Sequence, residues 1–193
     1  MYGNVYKWLV PGLCLTVVVA ILWNWEQDKA NDVSGPRNRA LLIGVSDYDQ
    51  LTPDRDLLGP ANDVRMLRDL LTERGFEKKN ILVLADGVKD ARQPTRNNIL
   101  AAWRELVATA HDGDSLVLYF AGHGSQQPAA DGEETDGLEE IILPKDIGQW
   151  DGAVGGVKNA ITDNEIGRFL DSIRALGTNV WAIFDACHSA TLT

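Results

Sequence analysis

Ser115-Leu-Val-Leu-Tyr-Phe-Ala-Gly-His-Gly124 decides the fold, and Asn179-Val-Trp-Ala-Ile-Phe-Asp-Ala-Cys-His188 repeats its logic. Each opens as a continuous apolar run of strand length, without the polar alternation of a half-exposed strand, so each reads as a strand covered on both faces. Each then breaks into small and polar residues, at His123 between two glycines and at Cys187 after Ala186. In an open parallel sheet, ligands bind in the crevice beyond the carboxyl ends of the strands. An imidazole and a thiol far apart in sequence are thereby directed to one crevice, the arrangement of a cysteine nucleophile with a histidine base.

The same pattern extends upstream. Ala40-Leu-Leu-Ile-Gly-Val45 and Ile81-Leu-Val-Leu84 are further apolar runs. Helical periods lie between the runs. Pro60 to Arg74 puts Val64, Leu67 and Leu71 on one face, with Met66 and Leu70 beside them and Gly75 as the stop. Thr95 to Ala110 aligns Ile99, Trp103, Leu106 and Ala110. Thr162-Asp-Asn-Glu165 has the pattern of a capping box, followed by Ile166, Phe169, Leu170 and Ile173 as a buried face and Gly177 as the end. Strands alternating with helices imply right-handed crossovers. The expected fold is α/β, a three-layer α/β/α sandwich with a mostly parallel sheet. The chain stops at Thr193 without the helix expected after the last strand. The expectation is therefore a sheet truncated after the catalytic strand, either because the chain is a fragment or because that strand is the sheet's last.

At 193 residues, 45% hydrophobic and 24% charged, the chain suits one globular domain with an appendage. A formal net charge of -10 argues against nucleic acid as a partner, since phosphates need a basic surface, and favours a cationic substrate. The two cysteines, Cys14 in an apolar run and Cys187, exclude a disulfide framework. The histidines His111, His123 and His188 show no paired spacing of a zinc site.

The appendage divides into a tail (1–7), an apolar segment (8–25) and a polar linker (26–38), with the folded domain at 39–193. The apolar segment is a helix at the short end of what crosses a bilayer, and Trp23 and Trp25 suit the membrane interface. It reads as the anchor of a single-pass membrane protein. The rival is a signal peptide with Lys7 as its basic end and Val18-Val-Ala20 as the cleavage site, which would export the domain. The run stays apolar and aromatic past Ala20, which favours the anchor. Lys7 on one side and Lys29, Arg37 and Arg39 on the other leave the orientation open.

A thiol attacks a carbonyl as thiolate, and a nearby imidazole can take its proton and later protonate the leaving amine. Cys187 and His123 fill those roles. The backbone N–H groups of Gly124 and Cys187 are candidates for the oxyanion hole. Taken alone, Cys187 could be a small buried hydrophobe. Its place just past a strand, beside His188 and Ser189, weakens that reading.

Tyr119-Phe-Ala-Gly-His-Gly-Ser125 and Phe184-Asp-Ala-Cys-His-Ser189 resemble the histidine and cysteine motifs of the caspase-like peptidases, specifically the metacaspase and bacterial orthocaspase branch of family C14. Ala40-Leu-Leu-Ile-Gly-Val-Ser-Asp-Tyr48, Gly59-Pro-Ala-Asn-Asp63 and Asp136-Gly-Leu-Glu-Glu-Ile-Ile-Leu-Pro144 match that branch in order. The resemblance runs from about Arg39 to the end and implies the caspase-type sandwich with His123 and Cys187 as the dyad. Caspases that hold an acidic substrate residue carry glutamine where this chain has Asp185. In metacaspases that aspartate and the one matching Asp63 line a pocket for arginine or lysine, which agrees with the preference of paired carboxylates for a guanidinium. Asp63 also has a plain reading, as a first-turn acid favoured by the helix dipole. Pro60 and Ala121 stand where many metacaspases have cysteine and serine, so one pocket hydroxyl is missing.

The acidic run Asp131-Gly-Glu-Glu-Thr-Asp-Gly137 does not fit an EF-hand, because its glycine falls one position too late. The resemblance implies no required cofactor but allows calcium activation, with Glu139 and Asp163 as the corresponding acids and Asn164 replacing another. A solvated acidic loop and an ordinary helix cap explain the same residues. The expected activity is cysteine-type endopeptidase cleavage after Arg or Lys, with protein or peptide substrates. The rival is a non-catalytic caspase-fold module tethered at a membrane.

Overall fold

The computed structural model describes residues 35–129, 137–149 and 156–186, and the chain from Pro36 onward forms one compact unit. The apolar segment 8–25, most of the linker, the acidic run 131–136 and Cys187 lie outside the described residues. Among those described, no helix is long and apolar enough to cross a membrane.

The main sheet has the order β2-β1-β3-β7, with β1 at Asn38–Gly44, β2 at Ile81–Ala85, β3 at Ser115–Ala121 and β7 at Asn179–Asp185. All three pairings are parallel. Helix α1 spans Pro60–Glu73, α2 Arg96–Thr109 and α3 Asp163–Arg174. Strand period 2 sorts the side chains onto two faces. Leu41, Ile43, Leu116, Leu118 and Phe120 pack with Ile99 and Leu106 of α2 and Phe169 and Ile173 of α3. Ala40, Leu42, Val117, Tyr119 and Ala121 pack with Val64 and Leu71 of α1. Strands β1 and β3 are therefore covered on both faces, as their uninterrupted apolar runs require. The same expectation for 179–185 is corrected: β7 is the edge strand among the described residues, none of its residues is buried, and Trp181 is 68% and Phe184 40% exposed.

The helices end where the sequence says they should. Thr95 caps α2 by accepting from the Asn98 N–H at 3.4 Å. Thr162 and Glu165 form a reciprocal capping box at 3.2 Å in each direction. Gly75, at φ +90°, closes α1 in a conformation that side chains rarely adopt. Close packing of α1 on β1 depends on Gly44, where a Cβ would stand 2.8 Å from both the Pro60 oxygen and Val64 Cγ2.

Two further features depart from the sequence reading. The fold begins before Arg39: Asn38 is already in β1, and the Arg37 N–H donates to Asp114 Oδ1 at 2.8 Å. The Asp114 side chain is fully buried and also meets the guanidinium groups of Arg37 at 3.1 Å and Arg39 at 3.8 Å. A buried carboxylate needs such partners, so the last linker residues belong to the domain. The second departure is a three-stranded antiparallel sheet of β4 (Gly124–Pro128), β5 (Leu138–Ile142) and β6 (Ile161–Thr162). Strand β4 has no apolar alternation because its inward residues are polar. Gln127, buried in this sheet, donates to Glu139 Oε2 at 3.1 Å and accepts from the Val157 N–H at 2.9 Å. Hydrogen bonds replace the hydrophobic signal that a sequence pattern detects.

Candidate active site

Strands β3 and β7 are neighbours in register, with Phe120 opposite Phe184 and Ala121 opposite Asp185, so their carboxyl ends are level. Past Ala121 the chain leaves the main sheet through Gly122, whose N–H donates to the Asp185 carbonyl at 3.3 Å. A side chain at Gly122 would crowd the Tyr48 hydroxyl at 3.1 Å and the Phe120 ring at 3.0 Å. His123 follows, and Gly124 enters the ladder of β4 opposite Ile142 instead of standing in an open loop.

Three contacts hold His123. Its N–H donates to the Tyr48 hydroxyl at 2.7 Å, and its carbonyl accepts from the Leu143 N–H at 3.0 Å. Its Nε2 meets the carbonyl oxygen of Arg55 at 2.7 Å. A carbonyl can only accept, so this contact assigns the proton to Nε2 and leaves the lone pair on Nδ1. The Tyr48 ring lies 5.0 Å from the imidazole, centroid to centroid. Burial holds the Tyr48 phenol well above its usual range, so it stays a neutral hydroxyl. Neither Tyr48 nor Arg55 carried a role in the sequence reading. A backbone carbonyl leaves no residue-type signal, whereas Tyr48 sat at the end of a quoted motif.

Asp63 lies half-buried in the first turn of α1, and Asp185 is the exposed last residue of β7. Both charges act on one phenol. Burial, the charges of Asp185 and Asp63, and a hydrogen bond to Asp185 push Tyr119 up to about 12. The Tyr119 hydroxyl therefore stays protonated and donates to Asp185, on the sheet face where Ala121 offers no hydroxyl of its own. Neither aspartate has an ion-pair partner among the described residues. Of the thiol itself, Cys187 lies outside the described residues; the structure follows the strand that leads to it as far as Ala186.

Beside this edge, a cleft of about 440 Å³ runs between β5, α3 and the end of β7, with Ile166, Leu170 and Phe184 as apolar wall and Glu140 and Asp163 as acidic rim. Glu139 is buried, and its oxygens accept from the side-chain amides of Gln127 at 3.1 Å and Asn164 at 3.3 Å. Asp163 is raised above the usual carboxylate range by burial first, and by the charges of Glu140 and Glu139. These are hard oxygen donors of the kind calcium takes, six to eight at a time. Among the described residues no three such side chains converge closely enough to hold a metal. The pair Glu139 and Asp163 is thus a partial donor set, already engaged by amides.

A family model described as the metacaspase, peptidase C14 domain matches residues 38–193. The chain is 38% identical over 156 residues to metacaspase-1 of Mycosarcoma maydis, covering 80% of this chain and 36% of that protein. It is likewise 38% identical over 157 residues to metacaspase-1B of Neurospora crassa, covering 80% and 34%. The chain spans about a third of the length of these curated relatives. Among solved structures, a protein of Geobacter sulfurreducens superposes with a TM-score of 0.61 at 24% identity, over 81% of this chain and 53% of that one, a likeness of fold.

Proposed function

The chain belongs to the metacaspase family of C14 peptidases, and on that premise we propose that it is a cysteine endopeptidase cutting after arginine or lysine. The observation that carries the reading is the anchoring of His123. With Nε2–H donated to the Arg55 carbonyl, Nδ1 is the free base at the level edge of β3 and β7. In the proposed reaction His123 Nδ1 takes the proton of Cys187, and the thiolate adds to the scissile carbonyl. Backbone N–H groups of Gly124 and Cys187 receive the oxyanion. The imidazolium then protonates the leaving amine, and the acyl-enzyme is released by a water that His123 deprotonates. Asp63 and Asp185 bind the substrate's cationic side chain, a preference that their shared influence on Tyr119 supports.

The test uses the full chain with arginyl, lysyl and aspartyl peptide amides, with and without calcium, beside Cys187→Ala. Cleavage of the basic substrates that disappears in Cys187→Ala is expected. Cleavage of aspartyl substrates alone, or no Cys187-dependent turnover, defeats the reading and favours a non-catalytic scaffold.

Two further parts of the proposal concern activation and location. Calcium activation is supported by the mutual repulsion at Asp163, Glu139 and Glu140, which a divalent cation would relieve. Calcium that neither binds nor changes turnover removes that part. Tethering at a membrane by residues 8–25 is supported by their apolar run and flanking tryptophans, and fractionation of cells expressing the chain, before and after deletion of that segment, decides it.

A further inference from the structure

On the outer face of the sandwich, away from the edge bearing His123, α2 and α3 enclose a groove of about 450 Å³, within the size range of ligand pockets. Its apolar surface comes from the half-buried Leu100 and Val107 of α2, above a floor of the buried Trp103 of α2 and Phe169 of α3. Two contacts hold its walls at a set distance. The Trp103 and Phe169 rings stack at 4.9 Å, 8° from parallel, and Arg96 of α2 donates to Glu165 of α3 at 2.9 Å. The groove is preformed, which lowers the ordering cost of a ligand.

Its rim is basic on an acidic protein. Arg104 and Arg168 are both exposed at the groove, and neither guanidinium has an ion pair or hydrogen bond among the described residues. Glu165, the acid that lines the groove, is already engaged by Arg96. Two unpaired guanidinium groups beside an apolar trough stand out on a chain of formal charge -10. Guanidinium forks match carboxylates in geometry, and an interhelical trough accepts the apolar face of an amphipathic helix.

We propose that the groove between α2 and α3 is a docking site for an acidic peptide segment of a partner protein, with apolar anchors seated on Leu100 and Val107 and carboxylates on Arg104 and Arg168. The site is separate from the edge proposed for catalysis and does not rest on that reading.

The experiment measures fluorescence anisotropy of a labelled amphipathic peptide with leucines at i, i+4 and i+7 and glutamates between them. It is titrated with the full chain carrying Cys187→Ala, so that cleavage cannot contribute. Saturable binding is expected that weakens at least tenfold in Arg104→Glu/Arg168→Glu and weakens with added salt. Ser172→Trp, at an exposed position lining the groove, should abolish binding by filling it. Circular dichroism on each variant confirms an unchanged fold. Equal binding of a lysine-for-glutamate peptide overturns the proposal, as does insensitivity to the arginine pair or to Ser172→Trp, or no saturation at millimolar protein. Arginine-dependent capture of phosphatidylserine vesicles without capture of the peptide overturns it in favour of a lipid surface.

Discussion

Tyr48→Phe separates the two ways in which Tyr48 holds His123. The substitution keeps the ring that lies 5.0 Å from the imidazole and removes only the hydroxyl that accepts from the His123 N–H at 2.7 Å. Tyr48 is 4% exposed, so little water reaches the vacated position. A buried donor left without its acceptor costs about 1–3 kcal/mol, more than the roughly 1 kcal/mol net worth of an ordinary hydrogen bond. For a domain of this size each kcal/mol moves the midpoint by about 2–4 °C, so Tm should fall by roughly 2–12 °C. Tyr48→Ala also removes the ring, and aromatic truncation in a core costs about 3–5 kcal/mol. Urea unfolding of both variants gives the free energies directly. If His123 is a base aimed by this anchor, turnover of an arginyl amide should fall further for Tyr48→Ala than for Tyr48→Phe, with KM nearly unchanged. A Tyr48→Phe protein within 0.5 kcal/mol of the parent would refute the account of the hydroxyl as the acceptor that satisfies His123. Equal turnover in both variants would refute the account of the ring as a support of the imidazole.

Gly44→Ala should destabilise by about 1–3 kcal/mol, the range for overpacking, because its Cβ meets Pro60 and Val64 at 2.8 Å; thermal melts read this. Asp185→Asn should lower kcat/KM for arginyl substrates by roughly tenfold or more, chiefly through KM, since a charge-assisted contact is worth about 1.5–3 kcal/mol. Glu165 is held below its usual range by the hydrogen bond from Arg96, so its contribution is present above the unfolded carboxylate pKa and is lost as pH falls through the folded one. Stability of Glu165→Gln should therefore approach that of the parent on acidification, in urea melts taken across the acid range. Asp163 is shifted the other way, so its charge opposes folding at neutral pH, and Asp163→Asn should stabilise the calcium-free protein there by less than about 1 kcal/mol, with the gain vanishing in acid.

Much of the scaffold was legible because one physical cause produced both the sequence pattern and the element. The run at 115–121 is uninterrupted because both faces of β3 are covered, and the box at Thr162 and Glu165 satisfies backbone donors within four residues. The run at 179–185 has the same pattern, yet β7 is the edge strand among the described residues and leaves Trp181 and Phe184 exposed, which a local apolar run does not distinguish from burial. Strand β4 was not legible, because Gln127 and Ser125 are buried there as polar residues, Gln127 being satisfied by Glu139 and the Val157 N–H. The start of the domain was misplaced for a related reason. Arg37 looks like linker until its partner Asp114 is known to be buried across the sheet.

From residue types alone came the α/β order of elements and the histidine and cysteine at strand ends, which follow from periodicity within a short window. The roles of Asp63 and Asp185 came from the family resemblance, and the net charge of -10 agreed with a basic substrate. Tertiary structure decided which neighbours complete them: the Arg55 carbonyl that assigns the His123 proton, the Tyr48 hydroxyl that fixes its backbone, and the Tyr119 phenol on which the charges of Asp63 and Asp185 both act. Those partners lie on separate segments, and a hydrogen bond or a shared field depends on distance in space, which no local pattern encodes.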